Sequence, residues 1–551
     1  MNPVNSNSGI DLPSPTHGQP QLEKASTAVS EGREVSVYKQ NQSPLLCLPY
    51  ETKSMIIRYL GFREVTRLKL VCKFLCILVE EDKVLERAWI RKFPSPYHYQ
   101  PKTIVRTKDE QQLRHWLEAF ADMGTVESLL KQQKSIYFSA QLLFINSKLM
   151  SQCKKFKLVE KIEMTHDKKV RAVNFSPDDR HLASVSEDKT VKICSQKTDG
   201  SWEPKATFFH NHRAVLANFS PDGRYLVTAS HDNTARIYVQ QDDESWAPKA
   251  TFTHDNWVAS ATFSPDGRHL LTASHDHTAK IYGQGDDGSW EVKTIIFHDH
   301  MILSATFSAD SQHMMSVGFD HTVRIRSQGD DGLWEVEDTI HESYVYLARL
   351  SPDDRHLAII CVDYALKIYG RGDDGSWVKK APLQHRSTIT SANFSADSCH
   401  LVTVSLDDTA KIFDLQTDGS WKEIATIPHD CNVRSAEFSA NSLHVVTASD
   451  DKTAKIYTRK APGLWEETAC ITHKKVVNSA KFSADCLHVV TTSDDNTAKV
   501  LGLQADGSWL EKAIIRHKKA VTSAKFSTDG RNLVTVSKDI SVRITELRKK
   551  D

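Results

Sequence analysis

Nine histidines recur at a nearly fixed step through the C-terminal two-thirds of the chain: His166, His210, His254, His298, His341, His385, His429, His473 and His517. The step is 44 residues, except for 43 between His298 and His341. An aspartate follows each by 22 residues: Asp188, Asp232, Asp276, Asp320, Asp363, Asp407, Asp451, Asp495 and Asp539. A period of this length marks an array of units, each burying its apolar face only against its neighbours. One unit reads HNHRAVLANFSPDGRYLVTASHDNTARIYVQQDDESWAPKATF. Within it AVLANFS, RYLVTAS and TARIYV are short β-rich runs separated by PDG and HDN turns, and SWAPKATF is a fourth. Four short strands per unit predict a propeller blade rather than a helical solenoid.

The two ends of the array explain each other. Residues 157–165, KLVEKIEMT, read as an outer strand without a blade, and ISVRIT at 540–545 reads as a third strand without an outer partner. Pairing them closes the ring and leaves no free edge. The count is then nine blades, with a ring of seven or eight and units left outside as the alternative.

A His, a Ser and an Asp in one unit suggest hydrolytic chemistry. Counting argues against it. A hydrolase needs one exposed nucleophile with an oxyanion hole, whereas nine copies in one context describe blade cement, a buried imidazole satisfied by a carboxylate. No catalytic, cofactor-binding or metal-ligating residue is singled out. Ten cysteines include no CxxC pair, which gives no zinc spacing and suits a reducing, intracellular setting.

Ahead of the array the composition changes twice. Residues 1–42 are rich in Asn, Ser, Pro, Gly and Gln and read as a disordered segment. Residues 43–92 hold three short stretches with apolar residues at helical spacing, and 93–156 read as a helical linker. In the linker Thr107 and Glu110 fit a capping box, Leu113, Trp116, Leu117 and Phe120 fall on one face, and Gly124 reads as a helix stop. Lys plus Arg equals Asp plus Glu at 70 each, which argues against a nucleic-acid binder. No apolar run is long enough to cross a membrane, and MNPVNSNSGI lacks a secretory pattern.

The array, over 157–548, resembles the WD-repeat β-propeller family: a histidine before the first strand, F-S-P-D-G turns, and S-x-D-x-T before a K-I-aromatic strand. The resemblance implies a tetrad of histidine, strand hydroxyl, aspartate and tryptophan. The matching serines are Ser186, Ser230, Ser274, Ser405, Ser449, Ser493 and Ser537, with Gly318 and Cys361 in repeats four and five. The family tryptophan is absent, its place taken by residues such as Cys194, Tyr238 and Arg326. A triad is therefore expected, with the tryptophans from Trp202 to Trp509 packing elsewhere.

Residues 43–92 resemble an F-box. Leu48, Pro49, Ile56, Ile57 and Leu60 match its first helix and Val65, Leu68 and Val71 its second, while Thr52, Lys53 and Leu75 depart from it. An F-box followed by a helical linker and a WD propeller resembles the substrate receptors of cullin-type ubiquitin ligases. The resemblance implies a Skp-type adaptor and a cullin on the F-box, a protein target on the propeller, a non-catalytic role and a cytoplasmic location. The alternative is a WD-repeat scaffold outside the ubiquitin system. That alternative includes a bacterial effector that mimics a host F-box protein and acts in the host cytosol.

Partner-binding residues are expected where the repeats differ from one another, in the loops after each histidine and before each aspartate. Lys168, Lys169, Lys474, Lys475, Lys518 and Lys519 form a basic arc if the ring closes as above, and Arg213 extends it. Trp257, Met301, Phe319, Tyr344, Val362 and Leu406 form an apolar arc. Together they suit a segment with an acidic or phosphorylated part and an apolar anchor.

Overall fold

The β-rich repeats fold as nine antiparallel four-stranded blades. The computed structural model describes residues 113–114, 117–118, 123–130 and 150–550, apart from 286, 330 and 373. The expected F-box residues Leu48, Pro49, Ile56, Ile57, Leu60, Val65, Leu68 and Val71 lie outside them. Of the linker, Leu113 and Leu117 are buried in helix, and a second helix runs Met123–Leu130. Gly124 lies inside that helix instead of ending one, so the glycine has no stop conformation to supply. Arg114 ties the two pieces together through Glu127 at 2.6 Å.

Each blade meanders outward from the ring centre. Blade 2 is typical: Ala214–Phe219, Tyr225–Ser230, Thr234–Gln240 and Trp246–Thr253. The second strand of each blade lies between two neighbouring blades, so both its faces are buried and its sequence is continuously apolar or small, as in His269–Ser274. The outer strands meet solvent and alternate accordingly. Nine apolar clusters fill the nine spaces between blades. One of them joins Val227 and Ile237 of blade 2 to Val258 and Leu270 of blade 3. A single blade has no core of its own, which is why the period must repeat.

The ring closes through the chain's own early strand. Phe156–Thr165 pairs antiparallel with Ser541–Lys549, Phe156 opposite Lys549 and Thr165 opposite Ser541. Blade 9 therefore takes its outer strand from ahead of blade 1. Across that seam Asp179 accepts from the N–H groups of Thr528 and Asp529 at 3.0 and 3.1 Å. Where the chain enters the ring, Lys512 donates to the carbonyls of Met150 and Ser151 at 3.1 and 3.0 Å, and its ammonium lies 5.3 Å from the centre of the Phe156 ring.

The tryptophans pack between blades, as their displacement from the family position requires. Trp246, Trp334, Trp421, Trp465 and Trp509 each stand edge-on, at 80–89°, to a histidine of the preceding blade: His181, His269, His356, His400 and His444. Ring centres are 5.4–5.9 Å apart. Each of these tryptophans also meets the phenylalanine that ends its own blade's first strand, as Phe219 meets Trp246. This second histidine series staples one blade to the next.

Candidate functional site

The residues that hold each blade also set the positions of its rim loops. In blades 1 to 4 and 6 to 8 the repeat histidine donates from Nδ1 to the aspartate 22 residues on, at 2.7–3.0 Å. In blade 9 the His517–Asp539 distance is 3.6 Å. A carboxylate only accepts, so the proton sits on Nδ1 and Nε2 must accept. Its donor is the hydroxyl 18 residues after the histidine: Ser184, Thr228, Thr272, Ser316, Thr403, Thr447, Thr491 or Thr535, at 2.7–2.9 Å.

That hydroxyl lies two residues before the serine expected from the resemblance. Both positions share one face of the strand, but only the earlier lies opposite the imidazole. The expected serines do other work. Ser186, Ser274, Ser405, Ser493 and Ser537 donate to the carbonyls of Lys168, Asn256, Ser387, Lys475 and Lys519 in the rim loops. Gly318 therefore costs blade 4 no tetrad member, since Ser316 is in place. A fourth group completes each set, so it is not a triad. Thr190, Thr234, Thr278, Thr322, Thr409, Thr453, Thr497 and Ser541 donate to the aspartate Oδ1 at 2.5–2.7 Å.

The electrostatics follow from burial. It pushes the imidazoles of His166, His254, His298, His385, His429, His473 and His517 below their ordinary range, so they are neutral. Burial alone would raise the aspartates. Bonds from the threonine, the histidine and backbone N–H groups outweigh it and hold Asp188, Asp276, Asp320, Asp407, Asp451 and Asp495 at about 2. These groups are saturated with partners, as cement should be.

Blade 5 breaks the rule. In blade 4 Thr322 pairs with His341, as Thr278 pairs with Phe297 in blade 3. His341 thus occupies the position before the histidine, and it is exposed. Glu342 stands where the other blades have histidine, because the loop from Glu342 to Val345 is one residue shorter than that from His298 to Ile302. The pairing of His341 with Asp363 does not form. Glu342 instead takes Lys367 at 3.0 Å, the Tyr369 hydroxyl at 2.6 Å, and Lys379. Asp363 takes Lys367 at 2.8 Å. Burial raises the Glu342 carboxyl, but those three donors bring it below its ordinary range.

In every blade one backbone bond ties the two rim loops together, from the residue before the aspartate to the residue before the first strand. Examples are His275 N–H to Trp257 O at 2.9 Å, Phe319 to Met301 at 2.8 Å and Val362 to Tyr344 at 3.3 Å. Lys168, Lys169, Lys474, Lys475, Lys518 and Lys519 are exposed on blades 1, 8 and 9, which the closed ring makes neighbours. Trp257, Phe319, Tyr344, Val362 and Leu406 are exposed, and Met301 is half-buried. Trp257 is held rather than loose: it stacks on His231 at 4.3 Å, and half-buried Arg213 lies 5.7 Å from its ring centre and bonds His231 at 3.1 Å. Sequence reasoning missed His231 and the second histidine series, although DDRH, DGRH and NSLH repeat visibly.

The repeats match a known family model. The model of the WD domain, G-beta repeat, matches residues 157–195, 202–238, 246–283, 290–327, 378–414, 421–458, 465–500 and 509–545, passing over 328–377, which holds the outer strand of blade 4 and the first three strands of blade 5. The F-box domain model matches 45–87. No curated protein matches the chain. Three solved structures are similar at a TM-score of 0.47 each. Sqt1 of Chaetomium thermophilum is 14% identical, over 60% of this chain and 95% of that one. The same protein bound to the N-terminus of the ribosomal protein L10 is 15% identical, over 60% and 96%. Sqt1 of Saccharomyces cerevisiae is 12% identical, over 72% and 99%. The chain belongs to the WD-repeat family, as an F-box protein with a nine-bladed propeller.

Proposed function

We propose that this chain is the substrate receptor of a cullin-type ubiquitin ligase. The F-box would bind a Skp-type adaptor, and through it a cullin, by the apolar residues Leu48, Ile56 and Leu60. The propeller would hold a target protein on its rim. What supports this reading is the succession of an F-box match and a ring whose scaffold repeats while its rim residues do not. No residue of the chain performs the transfer. Its contribution is placement, because ubiquitin transfer depends on holding the acceptor near the charged enzyme.

The rim fits a protein segment with an acidic part on the lysines of blades 8, 9 and 1 and an apolar part on blades 3 to 6. Reconstitution tests the whole reading. The full chain, mixed with a Skp-type adaptor and a cullin, should form a stable ternary complex, and Leu48→Ala with Ile56→Ala should abolish it. An intact chain that never associates with the adaptor returns the protein to the alternative of a scaffold outside the ubiquitin system.

A further inference from the structure

The fifth blade differs from its neighbours in several independent ways. It lacks the histidine cement, replaced by the buried Glu342–Lys367–Tyr369 network. Its outer strand is split into Trp377–Lys379 and Leu383–Gln384, where the other outer strands are continuous. In its shortened loop Tyr344 takes a φ of 54°, which no other blade shows at that position, while Tyr364 at 63° shares the left-handed turn that follows the aspartate position in all nine blades. Asparagine takes such backbone readily and a bulky side chain does not.

These changes bring apolar side chains to one place. Tyr344, Tyr346, Val362 and Tyr364 are all exposed, Tyr344 at 64%. Blade 1 has Lys169, Arg171, Glu187 and Lys189 at the same four positions, and blade 7 has Asn432, Arg434, Asp450 and Lys452. The patch is anchored, because Val362 N–H bonds Tyr344 O and the Tyr344 ring lies 4.8 Å from His321. The surrounding charge is negative. The rim loops of blades 3, 4 and 6 carry Asp255, Asp299 and Asp408 against Arg386. Aromatic faces beside carboxylates attract cations, and exposed tyrosines give contact area at small entropic cost.

We propose that the fifth blade is the anchoring site of the rim and takes a lysine or arginine carried beside an aliphatic or aromatic residue on an extended segment of the partner. This rests on the rim as the partner surface, though not on the ligase assignment. It gives the rim two poles, since the lysines of blades 8, 9 and 1 lie across the ring. A bound segment would run from a cationic, apolar end at blade 5 to an acidic end at the basic arc.

The test pans a displayed library of random dodecapeptides on the intact chain. Enriched peptides are then synthesised and measured by fluorescence polarisation against three proteins: wild type, Tyr344→Asn with Tyr364→Asn, and Lys475→Glu with Lys519→Glu. Asparagine keeps both left-handed positions comfortable, and circular dichroism checks that the ring is intact. Enriched peptides should pair Lys or Arg with a large apolar residue. The double asparagine variant should weaken them at least tenfold, as should replacing the peptide's basic residue with glutamate. Peptides that lose affinity only in the lysine-reversal variant, or that need no basic residue, overturn the blade-5 site while leaving the rim as partner surface. Peptides indifferent to both variants overturn the rim reading as well.

Discussion

Asp451→Ala should destabilise blade 7 by about 2–4 kcal/mol, and the structure supplies both the magnitude and its control. The Asp451 carboxylate accepts four hydrogen bonds: His429 Nδ1 at 2.7 Å, Thr453 Oγ1 at 2.7 Å, Thr453 N–H at 2.8 Å and Asp430 N–H at 3.2 Å. These hold its carboxyl at about 2 against an ordinary 3.8. That difference corresponds to roughly 2 kcal/mol of preference for the ionised form in the folded ring. The substitution also takes the 2.7 Å acceptor from the wholly buried His429 Nδ1–H and leaves it only the Thr453 hydroxyl at 3.2 Å, at about 1 kcal/mol. Asp363 at the equivalent place in blade 5 is 43% exposed and bonds only Lys367 and Ala365 N–H, and Lys367 keeps Glu342. Asp363→Ala should therefore cost about 1 kcal/mol or less. Urea unfolding of the full chain measures both. Hydrogen exchange of Val433–Phe438 and His444–Ser449 localises the first, since nine linked blades need not unfold together. Equal losses in the two variants, or unaltered protection in blade 7, would refute the cement argument.

Further outcomes follow from the same geometry. Thr447→Val keeps shape but removes the donor to His429 Nε2, and should cost about 1–3 kcal/mol in urea unfolding. No change would mean that the strand hydroxyl is misassigned. Trp465→Ala opens the space between blades 6 and 7 and should cost about 3–5 kcal/mol, with a loss under 1 kcal/mol contradicting the staple. Acid should weaken the ring. Burial brings His444 from an ordinary 6.5 to about 4, so below 6.5 the unfolded chain binds the proton first. The His444 contribution is full above pH 6.5 and is lost as the pH falls to about 4, by roughly 3 kcal/mol. A urea midpoint constant from pH 7 to pH 5 would contradict this.

Much of the fold was legible because the period is long and the interfaces repeat. Four β-rich runs per unit gave the blade. The unpartnered KLVEKIEMT and ISVRIT gave the closure, and with it the count of nine. Counting also moved the His, Ser and Asp set from chemistry to scaffold. Spacing without register misplaces two groups. The step of 43 residues points to His341, whereas strand pairing puts the missing residue in the following loop and Glu342 at the histidine's place. The resemblance points to the later strand serine, whereas side-chain direction selects the hydroxyl two residues earlier. The staple between histidine and tryptophan joins residues of adjacent blades about 65 positions apart. Tyr225 and Asn532 interrupt that histidine series, so its period is less evident than the first. The apolar character of blade 5 is visible in SYVYLARL and CVDYALKI, but only the folded rim places Tyr344, Tyr346, Val362 and Tyr364 together.

The central claim, that this propeller works as a receptor held by an F-box, is tested most directly by the affinity of the full chain for a purified Skp-type adaptor. Titration calorimetry should show one adaptor per chain, with binding lost in Leu48→Ala with Ile56→Ala and unchanged in Lys475→Glu with Lys519→Glu. No heat of binding from a folded chain, or binding indifferent to Leu48 and Ile56, would contradict the receptor account and leave a propeller whose partners lie elsewhere.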